Sequence, residues 1–279
     1  MIKIESVTKY FGDVCSLDEV ALQIPDGSIF GLIGSNGSGK STLLRAMSGI
    51  FSVEEGGILY DGFDIWENTE QKAKLVYLSD EPYFLPHSSI EDMRNLFSSL
   101  YSTFDNEKFD KLLNLFGLPL RRKINTFSKG MQKQASVLLG LSVCPKYLFC
   151  DETFDGLDPV MRHLVKRILM EDICDHVALL HKGKLLFQRE LDDMKLTIQK
   201  IQAVFTEENA EEKLRELPLL NLERRGSMFT IVARGTREEW EERLQALQPQ
   251  FYECIPLTLE EIFIAEMEEN GYDFTEILA

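Results

Sequence analysis

The sequence predicts an α/β fold followed by a small α+β domain, and three observations carry that reading. A short apolar run, Ser28–Ile33, is ended by glycine and followed by a glycine-rich octapeptide and an apolar-faced helical pattern. Two further short apolar runs, Leu75–Ser79 and Tyr147–Asp151, are separated by a long stretch of helical periodicity. After Leu191 the texture changes to strand-like and helix-like segments in alternation.

Taken in order, Ile2–Thr8 and Ala21–Ile24 read as strands, with Pro25-Asp26-Gly27 as the turn before Ser28–Ile33. Ser28–Ile33 has the composition of a strand buried on both faces. A helix is expected from about Lys40 to Gly49, with Leu43, Leu44 and Met47 on one face. From about Ile90 to Val143 the spacing turns helical, as in Phe109, Leu112, Leu113 and Phe116. Val160–Met170 reads as a helix. Val177–Leu180 and Leu185–Phe187 flank His181-Lys182-Gly183-Lys184 as a hairpin. Beyond it, Gln202–Phe205 and Met228–Val232 are strand-like, and Ala210–Leu217 and Thr236–Leu247 helical, in a split βαβ arrangement. Thr236 with Glu239, and Thr258 with Glu261, match the capping box that opens a helix. The expected domains are residues 1–190, with a helical subdomain at about 83–143, and residues 191–279.

The chain has 279 residues, 44% of them hydrophobic, enough for a substantial core. No apolar run approaches the roughly 18–20 residues that cross a bilayer, and residues 1–25 lack the pattern of a secretory signal. The five cysteines, Cys15, Cys144, Cys150, Cys174 and Cys254, are scattered without a CxxC pair, as expected of reduced thiols in the cytosol. The net charge of −16 is uneven, with −4 over residues 1–189 and −12 over residues 190–279. Gripping a nucleic-acid backbone requires basic surface, so that class of partner is not expected.

Gly34-Ser35-Asn36-Gly37-Ser38-Gly39-Lys40-Ser41 fits G-x-x-x-x-G-K-[ST], a pattern that arises by chance in roughly 1% of chains this long. The glycines let the backbone curl until successive N–H groups face one anion, and the following helix adds its positive N-terminus. In this reading the whole run Gly34–Thr42 holds ATP, with Lys40 on the β- and γ-phosphates and Ser41 on Mg²⁺. Tyr147-Leu148-Phe149-Cys150-Asp151-Glu152 is an apolar strand ending in acids: Asp151 is the expected metal ligand, and Glu152 the residue that polarises an attacking water.

Over roughly Met1–Phe187 these motifs, in this order, resemble an ATP-binding subunit of an ABC transporter, and thus a P-loop NTPase of the ABC ATPase type. The resemblance implies that Phe11 stacks on adenine. Phe127-Ser128-Lys129-Gly130-Met131-Gln132 is similar to the family's signature loop in degenerate form. It implies that Ser128 and Gly130 cap the γ-phosphate of ATP held by the other subunit of a head-to-tail dimer. Gly156-Leu157-Asp158-Pro159 resembles the D-loop, with Asp158 along that dimer interface. Pro256–Phe263 resembles the tail of cassettes serving ABC-2-type, exporter-like permeases.

Two departures stand out. Where the family carries glutamine after the strand Leu75–Leu78, this chain has Ser79-Asp80-Glu81-Pro82. A carboxylate, Asp80 or Glu81, thus replaces the amide as ligand to Mg²⁺ and contact to water. After Met170 the family continues with a core strand, a histidine that touches the γ-phosphate and a helix. Here Glu171–His176 follows at once, so roughly twenty residues are missing, although the remaining crossover is long enough for a βαβ unit. None of His87, His163, His176 and His181 replaces the missing histidine. The expectation is a Mg²⁺- and ATP-binding subunit with impaired hydrolysis, paired with itself or a related subunit on a membrane permease at the cytoplasmic face. Its docking surface is expected in the helical insert, including Tyr83-Phe84-Leu85-Pro86. The alternative is a nucleotide-sensing module with little turnover.

Overall fold

The computed structural model describes residues 1–153, 155–169, 175–206, 209–255, 257 and 261. It divides into two compact units, Met1–Cys174 with Ala178–Gln188, and Asp175–Val177 with Arg189–Ala279.

The first unit opens on an antiparallel sheet. Strands β1 (Ile2–Phe11) and β2 (Val14–Ile24) form a hairpin, and β1 also pairs with β4 (Glu55–Tyr60), which carries the short β5 (Phe63–Asp64). The sequence pattern breaks this hairpin at Thr8 and Ala21, whereas the strands run on through both positions. Register shifts between Ile4 and Val7 and between Val7 and Lys9, with Ser6 and Glu19 at positive φ, interrupt the two-residue alternation. Ile2, Ile4, Val7, Leu17, Val20, Leu22, Ile58 and Tyr60 nevertheless all reach the core.

The remaining strands of this unit lie in two separate sheets. β3 (Phe30–Ile33), β8 (His176–His181) and β9 (Lys184–Glu190) form one, in that order. β6 (Leu75–Leu78) and β7 (Tyr147–Cys150) form the other, parallel, with Leu75 opposite Tyr147 and Leu78 opposite Cys150. β3 is half-buried along its length, not enclosed on both faces as its composition suggests. The physical reason is topological: β3 stands at the edge of its sheet. Lys182 and Gly183 both take positive φ between β8 and β9, which suits a two-residue hairpin turn.

Helices α1 (Lys40–Met47) and α2 (Thr69–Lys72) belong to the sheet region. The helical insert contains α3 (Ile90–Leu100), α4 (Asn106–Phe116) and α5 (Lys129–Ser142), and α6 (Pro159–Leu169) follows β7. Phe109, Leu112 and Phe116 on α4 meet Ile90 and Met93 on α3 and Leu138 on α5, in a core that also takes in Val76 and Leu78 of β6. A capping box starts α3: Ser89 Oγ accepts from Asp92 N–H at 3.2 Å, and Asp92 Oδ2 accepts from Ser89 N–H at 2.8 Å.

In the second unit α7 (Leu191–Thr197) leads into β10 (Ile198–Val204), α8 (Ala210–Arg215), β11 (Leu219–Arg225), β12 (Met228–Arg234), α9 (Arg237–Ala246) and β13 (Phe251–Ile255). The sheet order is β11-β12-β10-β13, a split βαβ arrangement in which the first and last strands lie side by side. Ile201, Ala203, Phe229, Ile231 and Ala233 alternate along the central strands and meet Leu214, Trp240 and Leu244 of the two helices. The capping box of Thr236 with Glu239 opens α9. That of Thr258 with Glu261, and the Pro256–Phe263 run, extend outside the described residues.

Candidate functional site

The glycine-rich loop joins β3 to α1, and its glycines are required by close approach. A Cβ on Gly34, at φ +157°, would lie 2.3 Å from the Leu180 carbonyl oxygen. One on Gly39, at φ +104°, would lie 2.7 Å from that of Ser16. Only a residue without a side chain lets the loop sit this tightly on its neighbours. Lys40 Nζ donates to the carbonyls of Gly34 at 2.8 Å and Ser35 at 3.0 Å, and Ser38 N–H donates back to Ser35 at 3.1 Å. The loop faces a cavity of about 320 Å³ lined by Ser16, Asn36, Gly37, Gly39, Lys40, Ser41, Thr42 and Glu152. Ser16 Oγ and Thr42 Oγ1 are 2.9 Å apart at its wall.

Asp151 lies next to α1, at the C-terminal end of β7, and is 3% exposed. Its Oδ1 accepts from Ser41 Oγ at 2.9 Å, and its Oδ2 accepts from the Tyr77 hydroxyl at 2.7 Å. Tyr77 oxygen in turn accepts from Arg45 Nε at 3.2 Å. Burial, followed by the bond to Asp151, pushes the Tyr77 hydroxyl up to about 12, while Arg45 acts in the opposite direction. A hydroxyl and a carboxylate in contact at the first turn of a helix are hard oxygen donors. That chemistry fits Mg²⁺ beside a phosphate.

Glu152 is exposed at the cavity wall and takes a left-handed backbone conformation, φ +46°. Its carbonyl accepts from Lys133 Nζ at 3.1 Å and from Asp155 N–H at 3.2 Å. Glu152 and the P-loop thus share one cavity, although β3 and β7 belong to different sheets.

A family model described as ABC transporter matches residues 17–155. Over 224 residues the chain is 30% identical to the uncharacterized ABC transporter ATP-binding protein YhaQ of Bacillus subtilis, covering 72% of this chain and 74% of that one. The chain belongs to the ATP-binding subunits of ABC transporters. It is also 29% identical to the ABC transporter ATP-binding protein YtrB of Bacillus subtilis, over 287 aligned residues covering 95% of this chain and 98% of the relative. Because 95% of 279 residues is about 265, roughly twenty positions of that alignment hold residues of the relative with no counterpart here. Among solved structures, a dimeric ATP-binding cassette in a post-hydrolysis state with ADP and Pi superposes with a TM-score of 0.61. It is 20% identical, covering 68% of this chain and 99% of that one, and shares the ABC ATPase fold.

Within this ABC ATPase subunit the other expected site residues are distributed as follows. Asp80 pairs through Oδ1 with Lys133 Nζ at 2.7 Å, not with Ser41 or Asp151. Phe11 is half-exposed at the end of β1, with its ring edge-on to Phe51 and Lys9 Nζ 5.5 Å from its centre. It does not line the cavity, and neither do Ser128 and Gly130. Ser128 caps α5, its hydroxyl accepting from Met131 N–H at 3.2 Å, and remains exposed. Asp158 caps α6 through Oδ1, accepting from Val160 and Met161 N–H at 3.1 and 3.0 Å. Among the described residues no histidine lines the cavity, and His181, 7% exposed, is held below the usual histidine range by burial and by Lys182.

Ser16, Arg45, Tyr77 and Lys133 lie outside the sequence motifs. Lys133 left no signal, standing between Gln132 and Gln134 in a polar stretch just after the signature loop. Tyr77 left none either, because an aromatic in an apolar strand is ordinary.

Proposed function

We propose that this chain binds Mg²⁺ and ATP along Gly34–Thr42, and that two such subunits drive a separate membrane permease at its cytoplasmic face, with slowed hydrolysis. The observation that carries this is the Ser41–Asp151 bond of 2.9 Å on a cavity shared by Lys40, Thr42 and Glu152. The loop N–H groups and the N-terminus of α1 hold phosphate oxygens. Lys40 leaves the carbonyls of Gly34 and Ser35 to reach them, and Ser41 and Asp151 hold Mg²⁺. When bound, Mg²⁺ would supply positive charge against the phosphate oxygens. Glu152 takes a proton from the attacking water.

A head-to-tail dimer is supported by Ser128 and Gly130, which lie at the start of α5 outside their own chain's cavity. Permease docking at the helical insert is supported by Tyr83 and Leu85, 80% and 47% exposed. No helix among the described residues is long and apolar enough to cross a membrane. The resemblance of the Pro256–Phe263 run favours export. Slowed hydrolysis is supported by the separate sheets of β3 and β7 and by the absence of histidine from the cavity wall. Only residues 170–174 separate α6 from Asp175, where the family resemblance calls for a strand and a histidine loop.

Binding of a fluorescent ATP analogue, measured beside turnover in wild type, Glu152→Gln and Lys40→Ala, tests this. Wild type and Glu152→Gln should bind alike with Mg²⁺ present, and Lys40→Ala at least tenfold more weakly. Turnover should fall well below ordinary ABC rates. Failure of the wild type to bind nucleotide overturns the proposal, and ordinary turnover overturns its slowed hydrolysis. Binding without ATP-dependent dimerisation or any co-purifying membrane protein would favour the sensing module, the reading that the altered core sheet also suits.

A further inference from the structure

Lys133 belongs to none of the motifs above, yet with Lys9 it is one of two buried lysines among the described residues, 9% exposed. An ammonium group so enclosed persists only where charge and hydrogen bonds compensate its lost hydration. Two acceptors do so. Asp80 Oδ1, in the turn after β6, is 2.7 Å from Nζ, and the Glu152 carbonyl, just after β7, is 3.1 Å away. One side chain on α5 therefore ties together the turn that departs from the family pattern and the backbone of the expected general base.

The Glu152 backbone needs such a tie. At φ +46° it occupies the left-handed region, which a residue with a Cβ avoids unless its surroundings enforce it. Its carbonyl is held from two sides, by Lys133 Nζ and by Asp155 N–H at 3.2 Å. Because peptide orientation sets the direction of the side chain, the lysine bond governs whether the carboxylate points into the cavity that Glu152 lines. Asp80 contributes the charge: its carboxylate neutralises the ammonium near the site, so neither group stands there alone.

We propose that Lys133 is a positioning residue for hydrolysis, fixing Glu152 through its carbonyl and holding Asp80 as a neutral pair. This rests on the assignment of Glu152 as the base. Because Ser128 caps α5, the helix that follows the signature serine also carries this tie.

The test compares full-length wild type, Lys133→Met, Lys133→Arg and Asp80→Asn. Hydrogen exchange at the Asp155 amide is the first readout, because it does not require turnover. Lys133→Met should raise exchange there at least tenfold, with the α1 amides unchanged, and Lys133→Arg should recover most of the protection. Steady-state kinetics is the second. Lys133→Met should lower kcat about tenfold while KM and analogue binding stay within twofold, and Asp80→Asn should cost little more once Lys133 is gone. Wild-type exchange at Asp155 in a folded Lys133→Met overturns the proposal, as does a loss confined to KM. Weak nucleotide binding by the wild type would instead sink the ATP-binding reading, leaving the exchange result to judge Lys133.

Discussion

Replacing Tyr77 with phenylalanine removes one oxygen and isolates what holds Asp151 in place. In the wild type the nearly buried carboxylate accepts from Ser41 at 2.9 Å and from Tyr77 at 2.7 Å. Hydrogen bonds to charged groups contribute about 1.5–3 kcal/mol net, and phenylalanine fills the same space without a donor. Arg45 Nε loses its acceptor at 3.2 Å in the same change, so the loss should fall within that range rather than below it. For a unit of this size each kcal/mol lowers Tm by about 2–4 °C, which predicts a fall of about 3–12 °C. Urea unfolding followed by far-ultraviolet circular dichroism gives the free energy directly. The same change should raise the Mg²⁺ concentration needed for analogue binding about tenfold, since groups that orient a metal ligand typically affect affinity by that order. A Tyr77→Phe protein within about 0.5 kcal/mol of wild type, a change ordinary for surface sites, and with an unaltered Mg²⁺ requirement would refute the reasoning.

Three further outcomes follow from individual contacts. Gly39→Ala should abolish tight analogue binding and cost about 1–3 kcal/mol in urea unfolding, because its Cβ meets the Ser16 carbonyl oxygen at 2.7 Å from a backbone at φ +104°. Trp240→Ala should destabilise the second unit by about 3–5 kcal/mol, seen as loss of circular dichroism at lower urea. The indole there is fully buried and donates to the Arg234 carbonyl at 2.7 Å. Spectrophotometric titration should show Tyr60 and Tyr77 ionising late. Burial raises both above the ordinary value near 10, Tyr77 to about 12. Their neutral forms therefore contribute stability that is complete below pH about 10 and is lost as pH rises through the folded values. Phenolate absorbance should appear together with unfolding, and early reversible ionisation of both residues would contradict this.

The parts of the fold that were legible in the sequence are those whose causes lie close together along the chain. Phe109, Leu112 and Phe116 announce α4 because a helix places neighbours three and four residues apart on one side. Thr236 and Glu239 announce the start of α9 because the donors left open there lie within one turn. β11 and β13 escaped notice, being partly exposed strands of mixed composition. The long β1–β2 hairpin was cut short because bulges at Ser6 and Glu19 shift the pattern by one residue.

At the candidate site the same division holds. The sequence by itself determined the strand, glycine loop and helix of Gly34–Thr42, because a backbone curled around an anion is encoded in eight consecutive residues. It also located Asp151 and Glu152 at a strand end. Only the tertiary structure decided which groups surround them: Tyr77 and Arg45 around Asp151, and Lys133 between Asp80 and Glu152. Those partners come from β6, α1 and α5, separated in the chain by up to 106 residues between Arg45 and Asp151. Hydrogen bonds form wherever folding brings a donor to an acceptor, so no local spacing encodes them. The separation of β3 from β7 into two sheets was likewise a matter of strand order, which depends on which edges meet in space.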